Sequence, residues 1–162
     1  MTGTITQPGQ GNTYLVMGDL YTILATKENT GAYNLSEVLM QPQGFIPPHF
    51  HDEDEAHYLL DGEVEYQIDG KTISATPGTF IHISRGQVHS FKNIGLKPAK
   101  FLFWATLAGG EQFLAEIGQR VQPINEEEKQ SLLGKVNPEE IEKAMTVAVT
   151  DYGIKFVVPD SN

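Results

Sequence analysis

The sequence predicts a mainly β protein, a sandwich or barrel, with helices confined to its last third. Three observations lead there. Between Tyr14 and Leu107, short runs rich in β-branched and aromatic residues follow one another, separated by turn residues. Asp61-Gly62 and Asp69-Gly70 each lie between two such runs, and Asp-Gly suits a two-residue hairpin turn whose central residues take positive φ. After Gly109-Gly110 the apolar spacing changes from two-fold to helical.

In chain order, residues 1–13, rich in Gly, Thr and Gln, read as a loose arm. Strand-like runs then follow over 14–107: YTILATK, NLSEVLMQ, AHYLLD, EVEYQI, KTISA, TFIHIS, HSFKNI and KFLFWATL. In 108–162, GGEQFLAEIGQRV sets Phe113, Leu114 and Ile117 at helical spacing. INEEEKQSLLGK offers Asn125 as a cap before three glutamates, which suit the positive end of a helix. NPEEIEKAMTVAVTDYG offers Asn137 as cap, Pro138 at the first helical position and Gly153 as stop. IKFVVPD reads as a short strand. About 55 residues with few large apolar side chains would not fold alone, so one domain over 1–162 is expected.

Composition narrows the function classes. The chain has 162 residues, 40% hydrophobic and 20% charged, the balance of an ordinary globular protein. Its net charge of −10 repels phosphate backbones, so nucleic acid is not an expected partner. No basic amphipathic stretch suits a membrane surface, and FLFWATLA is too short to span a bilayer. The opening MTGTITQPGQGNTY has neither a basic start nor an apolar run, so a cytoplasmic location is expected. There is no cysteine, so a metal site here would use histidine, carboxylate and water.

The stretch PPHFHDEDEAHYLLDG crowds imidazoles against carboxylates. All five histidines, His49, His51, His57, His82 and His89, fall between residues 49 and 89. On a strand, His49 and His51 would share a face with Cα atoms roughly 6–7 Å apart. Two imidazoles so placed can converge on one ion at about 2.0–2.2 Å. Glu55 is near enough in sequence to add a carboxylate, and a neighbouring strand could bring in His89. Such a set suits one divalent first-row metal: Fe, Mn, Co, Ni, Cu or Zn. The competing reading is a polar loop that happens to be histidine-rich, and spacing alone leaves both open. The run Asp52-Glu53-Asp54 reads as a solvated turn without a role.

GFIPPHFHDEDEAHYLLDG resembles the first motif of the cupin superfamily, in which a glycine precedes an HxH pair and a glutamate and second glycine follow. Gly44, His49, His51, Glu55 and Gly62 take those positions. GTFIHISRGQVHSFKN resembles the second motif through Gly78, Gly86, His89 and Asn93, with Ser84 where the family usually has proline. TKENTGAYNLSEVLM, LAGGEQFLAEIG and DYGIKFVVP extend the likeness to the quercetin 2,3-dioxygenase-like monocupins.

The resemblance implies a jelly-roll β-barrel with a helical C-terminal extension, a homodimer, and an ion in the bore held by His49, His51, Glu55 and His89. The resemblance does not fix the substrate; the leading expectation built on it is a metal-dependent dioxygenase acting on a flavonol, catechol-like or other enolic small molecule, with dioxygen as co-substrate and Glu55 as base. A sensor or carrier binding a metal with a small ligand is the alternative from another class, and a metal-dependent isomerase or hydrolase is a third. His57, Tyr33, Phe103 and Trp104 are the candidates for the substrate pocket. His82, in an apolar run, reads as structural, and Asn93 as turn architecture.

Overall fold

The structure, a computed structural model, describes residues 3–106, 109–123 and 125–158. Leu107 and Ala108, at the expected junction of barrel and helices, Ile124, and Pro159-Asp160 of the last expected strand lie outside the described residues.

The chain begins with strands β1 (Asn12–Val16) and β2 (Asp19–Ala25), and a short helix, α1 (Lys27–Thr30), follows. Eight strands come next: β3 (Asn34–Met40), β4 (Phe45–Phe50), β5 (Glu55–Asp61), β6 (Val64–Ile68), β7 (Lys71–Ala75), β8 (Phe80–Ile83), β9 (His89–Asn93) and β10 (Ala99–Ala105). The last third holds α2 (Gly110–Ile117), β11 (Gln119–Val121), α3 (Glu126–Leu132), α4 (Pro138–Thr150) and β12 (Lys155–Phe156). Among the described residues the strands form two antiparallel sheets, ordered β11-β1-β2-β3-β10-β5-β8 and β12-β4-β9-β6-β7.

Alternation along the strands builds the core. On β5, Glu55, His57 and Leu59 are buried while Tyr58 and Leu60 face outward. Val38, Leu59 and Phe101 from one sheet meet Val64, Tyr66 and Phe91 from the other in a single cluster, with Ile46 and Phe103 packed at its margin. Each such apolar side chain, fully buried, stabilises the fold by roughly 1.5–3 kcal/mol. The expected β architecture is present, as a two-sheet jelly roll with helices at its C-terminal end.

Several local expectations change. Asp69 and Gly70 form the expected hairpin turn, with φ of 48° and 78°, and Ile68 pairs with Lys71. Asp61-Gly62 does not. β5 and β6 belong to different sheets, so this dipeptide is the corner where the chain crosses between them. Gly62 is required there. Its φ is 88°, and a Cβ would come within 2.8 Å of the Ala99 Cα. A second tight hairpin, unannounced by an Asp-Gly pair, turns at Met17-Gly18. β1 begins at Asn12, inside the expected arm.

The C-terminal third also contributes strands to both sheets. β11 pairs with β1, and β12 pairs with β4. β11 is too short to show a period, which is why the sequence there reads as a continuing helix. The helix signals hold. Asn125 Oδ1 accepts from the Glu128 N–H at 2.9 Å, and Asn137 Oδ1 accepts from the Glu139 N–H at 3.0 Å. α4 ends three residues before Gly153, whose φ of 65° lets the Ile154 N–H reach the Ala148 carbonyl.

Candidate metal centre

His49 lies near the end of β4, His51 just beyond it, and His89 opens β9. His49 and His89 are direct partners in the β4–β9 pairing, which places both imidazoles at one level of the barrel. One ligand atom from each of His49, His51 and His89 falls within 4.8 Å of the others, and all three side chains are buried. Such a set could hold a metal ion. Four residues separate Gly44 from His49, where the cupin motif has five, so the motif spacing fits from His49 onward and is one short before it.

The backbone fixes two of the three rings. His49 Nδ1 donates to the Pro47 carbonyl and His89 Nδ1 to the Gln87 carbonyl, each at 2.8 Å. A carbonyl only accepts, so both protons sit on Nδ1 and both Nε2 lone pairs are free. The buried His89 Nε2 has no hydrogen-bond partner, as expected of an atom shaped for an ion. Burial first, then His89 nearby, pushes the His49 pKa down to about 4, and burial also lowers that of His89. Both are neutral at pH 7, as ligands must be.

His51 differs. Its Nε2 donates to Glu55 Oε2 at 2.9 Å, and its Nδ1 lies 3.3 Å from Glu53 Oε2, too oblique for a hydrogen bond. Burial works against its charge, but Glu53 and Glu55 outweigh burial and raise its pKa to about 10. Burial likewise opposes the Glu55 charge, and His51 and His57 override it, holding the carboxyl well below its usual range. In the metal-free chain a proton on His51 supplies the positive charge that the carboxylates require, and a bound cation would replace it. The donor set therefore fits a divalent ion: two neutral imidazoles, a third freed on proton loss, and Glu55 Oε2 beside them at 3.8 Å from His89 Nε2.

His49, His51, Glu53 and Glu55 form the polar pole of a cavity of about 160 Å³ between the sheets, beneath α2 and α4, and His89 is grouped with the two lining histidines. The other cavity walls are apolar: Phe91, Phe101 and Phe103 from the strands, and Phe113, Leu114 and Met145 from the helices. Ala144 and Ala148, one turn apart and both buried, let α4 lie close over the barrel.

Of the expected pocket residues, Phe103 lines this cavity. Trp104 is next along β10, so it points to the outer face, where it packs 5.9 Å from Phe80. Tyr33 is 42% exposed and lines a separate surface groove with Thr6, Leu24 and Thr30. His57 is fully buried beneath Glu55, with Nδ1 2.8 Å from the Tyr66 hydroxyl, and is not among the lining residues. His82 is exposed on the outer face of β8.

Glu53 was hidden in an acidic run that reads as a turn, yet it lines the cavity beside His51. Its position two residues from His51 was the available signal. Asp54 instead braces the loop from outside, pairing with the Arg85 guanidinium at 2.8 Å. Ser84 has a reason to replace proline: its N–H donates to Gln87 Oε1 at 2.8 Å, a bond proline cannot make.

Residues 36–105, which carry all of these histidines and Glu55, match the family described as Cupin domain. The fold is a cupin-type jelly roll. A solved RmlC-like cupin from Shewanella frigidimarina superposes with a TM-score of 0.60 at 12% identity, covering 68% of this chain and 96% of that one. Quercetin 2,3-dioxygenase of Bacillus subtilis (strain 168) is 30% identical over 90 residues, 54% of this chain. The match spans only 27% of that relative. Polyketide synthase CurC of Streptomyces cyaneus is 26% identical over 115 residues, 69% of this chain and 74% of that protein.

Proposed function

We propose that this chain is a metal-dependent cupin enzyme acting on a planar small molecule with an acidic enolic or phenolic oxygen, by quercetinase-type dioxygenation. The observation that carries this is the grouping of His49, His51 and His89 with Glu55 beside them, His49, His51 and Glu55 opening onto a cavity whose other walls, Glu53 apart, are mainly apolar. His49, His51, His89 and Glu55 Oε2 would hold the ion, which when bound supplies Lewis acidity and a template for the substrate oxygen. Phe91, Phe101 and Phe103 hold the ring of the substrate, and α2 and α4 keep water from it. Glu55 would serve as base by swinging Oε2 off the ion as the substrate oxygen arrives and taking the hydroxyl proton there, leaving the substrate as its oxyanion. Dioxygen is the co-substrate and both its atoms enter the product, so no external reductant is needed. The likeness to a quercetin dioxygenase supports this choice of reaction.

A second reading is favoured by the match to a polyketide synthase, which spans more of both chains. Poly-β-keto compounds also present enolisable oxygens, and the same proton transfer to Glu55 would serve a ring closure without oxygen.

Oxygen uptake with a panel of flavonols, catechols and β-diketones, on each metal-loaded form, tests the first reading. Turnover that continues without oxygen selects the second. Tight ligand binding with no turnover in either atmosphere contradicts both and leaves a carrier or sensor. The same reading carries a homodimer in the cytoplasm. Light scattering at the 17.9 kDa mass of one chain would contradict the dimer.

A further inference from the structure

Beneath the metal pole lies a polar chain that the proposed reaction does not use. Tyr66 and His57 are both fully buried and come from opposite sheets. The Tyr66 hydroxyl is 2.8 Å from His57 Nδ1. His57 Nε2 is 2.7 Å from Glu55 Oε1, an oblique contact, and has no hydrogen-bond partner of its own. The other Glu55 oxygen, Oε2, is the one that faces His51 and His89.

The aromatic packing leaves His57 little freedom. Its ring stacks on Phe101 at 4.8 Å with an interplanar angle of 27°, and Phe91 meets it edge-on at 5.0 Å. Phe103 lies 5.4 Å away on another side. Burial holds the Tyr66 phenol above its ordinary pKa, so the hydroxyl keeps its proton and can donate to Nδ1. That leaves the His57 proton on Nε2, directed to the side where Glu55 Oε1 sits. Two polar residues in an apolar core are expensive unless they meet partners; the Tyr66 hydroxyl and His57 Nδ1 meet each other, and His57 Nε2 comes within 2.7 Å of Glu55 Oε1.

We propose that His57 and Tyr66 are a buried positioning pair that ties Glu55 Oε1 back into the barrel, so that Glu55 offers an ion one oxygen only, Oε2. The inference rests on the reading of His49, His51 and His89 as a metal centre. Its consequence is specific: a carboxylate held by one oxygen leaves a coordination position that a carboxylate bound through both would fill. Substrate oxygen can use that position. Neither His57 nor Tyr66 touches the substrate in this arrangement.

The test uses the whole chain loaded with Co²⁺, whose visible absorption weakens as coordination number rises. Co²⁺ affinity and spectrum are measured for wild type, His57→Leu, His57→Gln and Tyr66→Phe, with thermal unfolding to identify misfolded variants. His57→Leu should weaken Co²⁺ binding by roughly 10- to 100-fold, the scale for loss of an outer partner, and should lower the absorption of the bound ion. His57→Gln, whose amide N–H can reach Oε1, should recover most of both. Tyr66→Phe is nearly isosteric and should shift the spectrum in the same direction by less, so it decides the matter if His57→Leu does not fold. Wild-type affinity and an unchanged spectrum in folded His57→Leu or in Tyr66→Phe would overturn the pair. A wild type that binds no Co²⁺ would overturn the metal centre itself, a separate failure.

Discussion

His49 and His89 face one another across the pairing of β4 with β9, their ring centroids 4.1 Å apart. Each is tied through Nδ1 to the carbonyl two residues before it. Neither ring can turn away without breaking that bond. Two neutral imidazoles are thus held with lone pairs near one point in a buried site. Without a cation that arrangement is mildly repulsive, and with one it becomes coordination.

Glu55 carries the enzymatic reading. Glu55→Gln keeps the shape and an oxygen toward the centre but loses basicity. Turnover per bound metal should fall by roughly 10²-fold or more, while the variant retains much of its metal. Rates close to wild type in metal-replete protein would remove Glu55 as the base.

Asp19 should make stability fall with rising pH. It is 3% exposed and accepts the Gln41 backbone N–H at 2.8 Å. Burial raises its pKa from 3.8 to about 7, against the pull of the Gln41 hydrogen bonds. The folded form therefore holds a proton that the unfolded chain has lost between these values. The stabilisation is complete below pH 3.8 and is lost as pH rises through 7. The full swing is about 4 kcal/mol at 1.36 kcal/mol per pKa unit. Asp19→Asn keeps an acceptor for Gln41 and removes the titration. Its melting temperature should gain on wild type between pH 5 and pH 8. An equal difference at both pH values would contradict the assignment.

Asn93 should matter to the fold and not to the metal. It is fully buried, and its Nδ2 donates to the carbonyls of Gln41 and Lys97 while Oδ1 accepts from the Gly95 N–H. Asn93→Ala strands these backbone groups, at a cost on the order of 3 kcal/mol. Denaturant unfolding should register that loss, while the folded fraction binds metal as wild type does. Normal stability in the variant would argue against a structural role.

The sequence revealed most where the chain is locally dense. The HxH pair, Glu55 and the second-motif histidine sit in two short segments, so residues that meet in space can be read together. β4 was harder to see, because Pro47 and Pro48 break the ordinary strand pattern just before His49. Trp104 and Phe103 are adjacent aromatics, and only the pairing register shows that Phe103 faces the bore. Tyr66 was not recognisable as a partner of His57, since the two lie in different sheets and meet only when these pack. Asp61-Gly62 matched a hairpin locally, but the choice of sheet for β6 is made by distant strands.

Metal content is the most direct test of the central claim. Wild type and the His49→Ala/His51→Ala double variant are purified without chelator, equilibrated with a mixture of divalent first-row ions, desalted and analysed for elements. Wild type should retain about one ion per chain, and the double variant, left with one histidine of the three, should fall below about a tenth of that. Equal metal in the two proteins, or none in either while both remain folded, would contradict the metal centre.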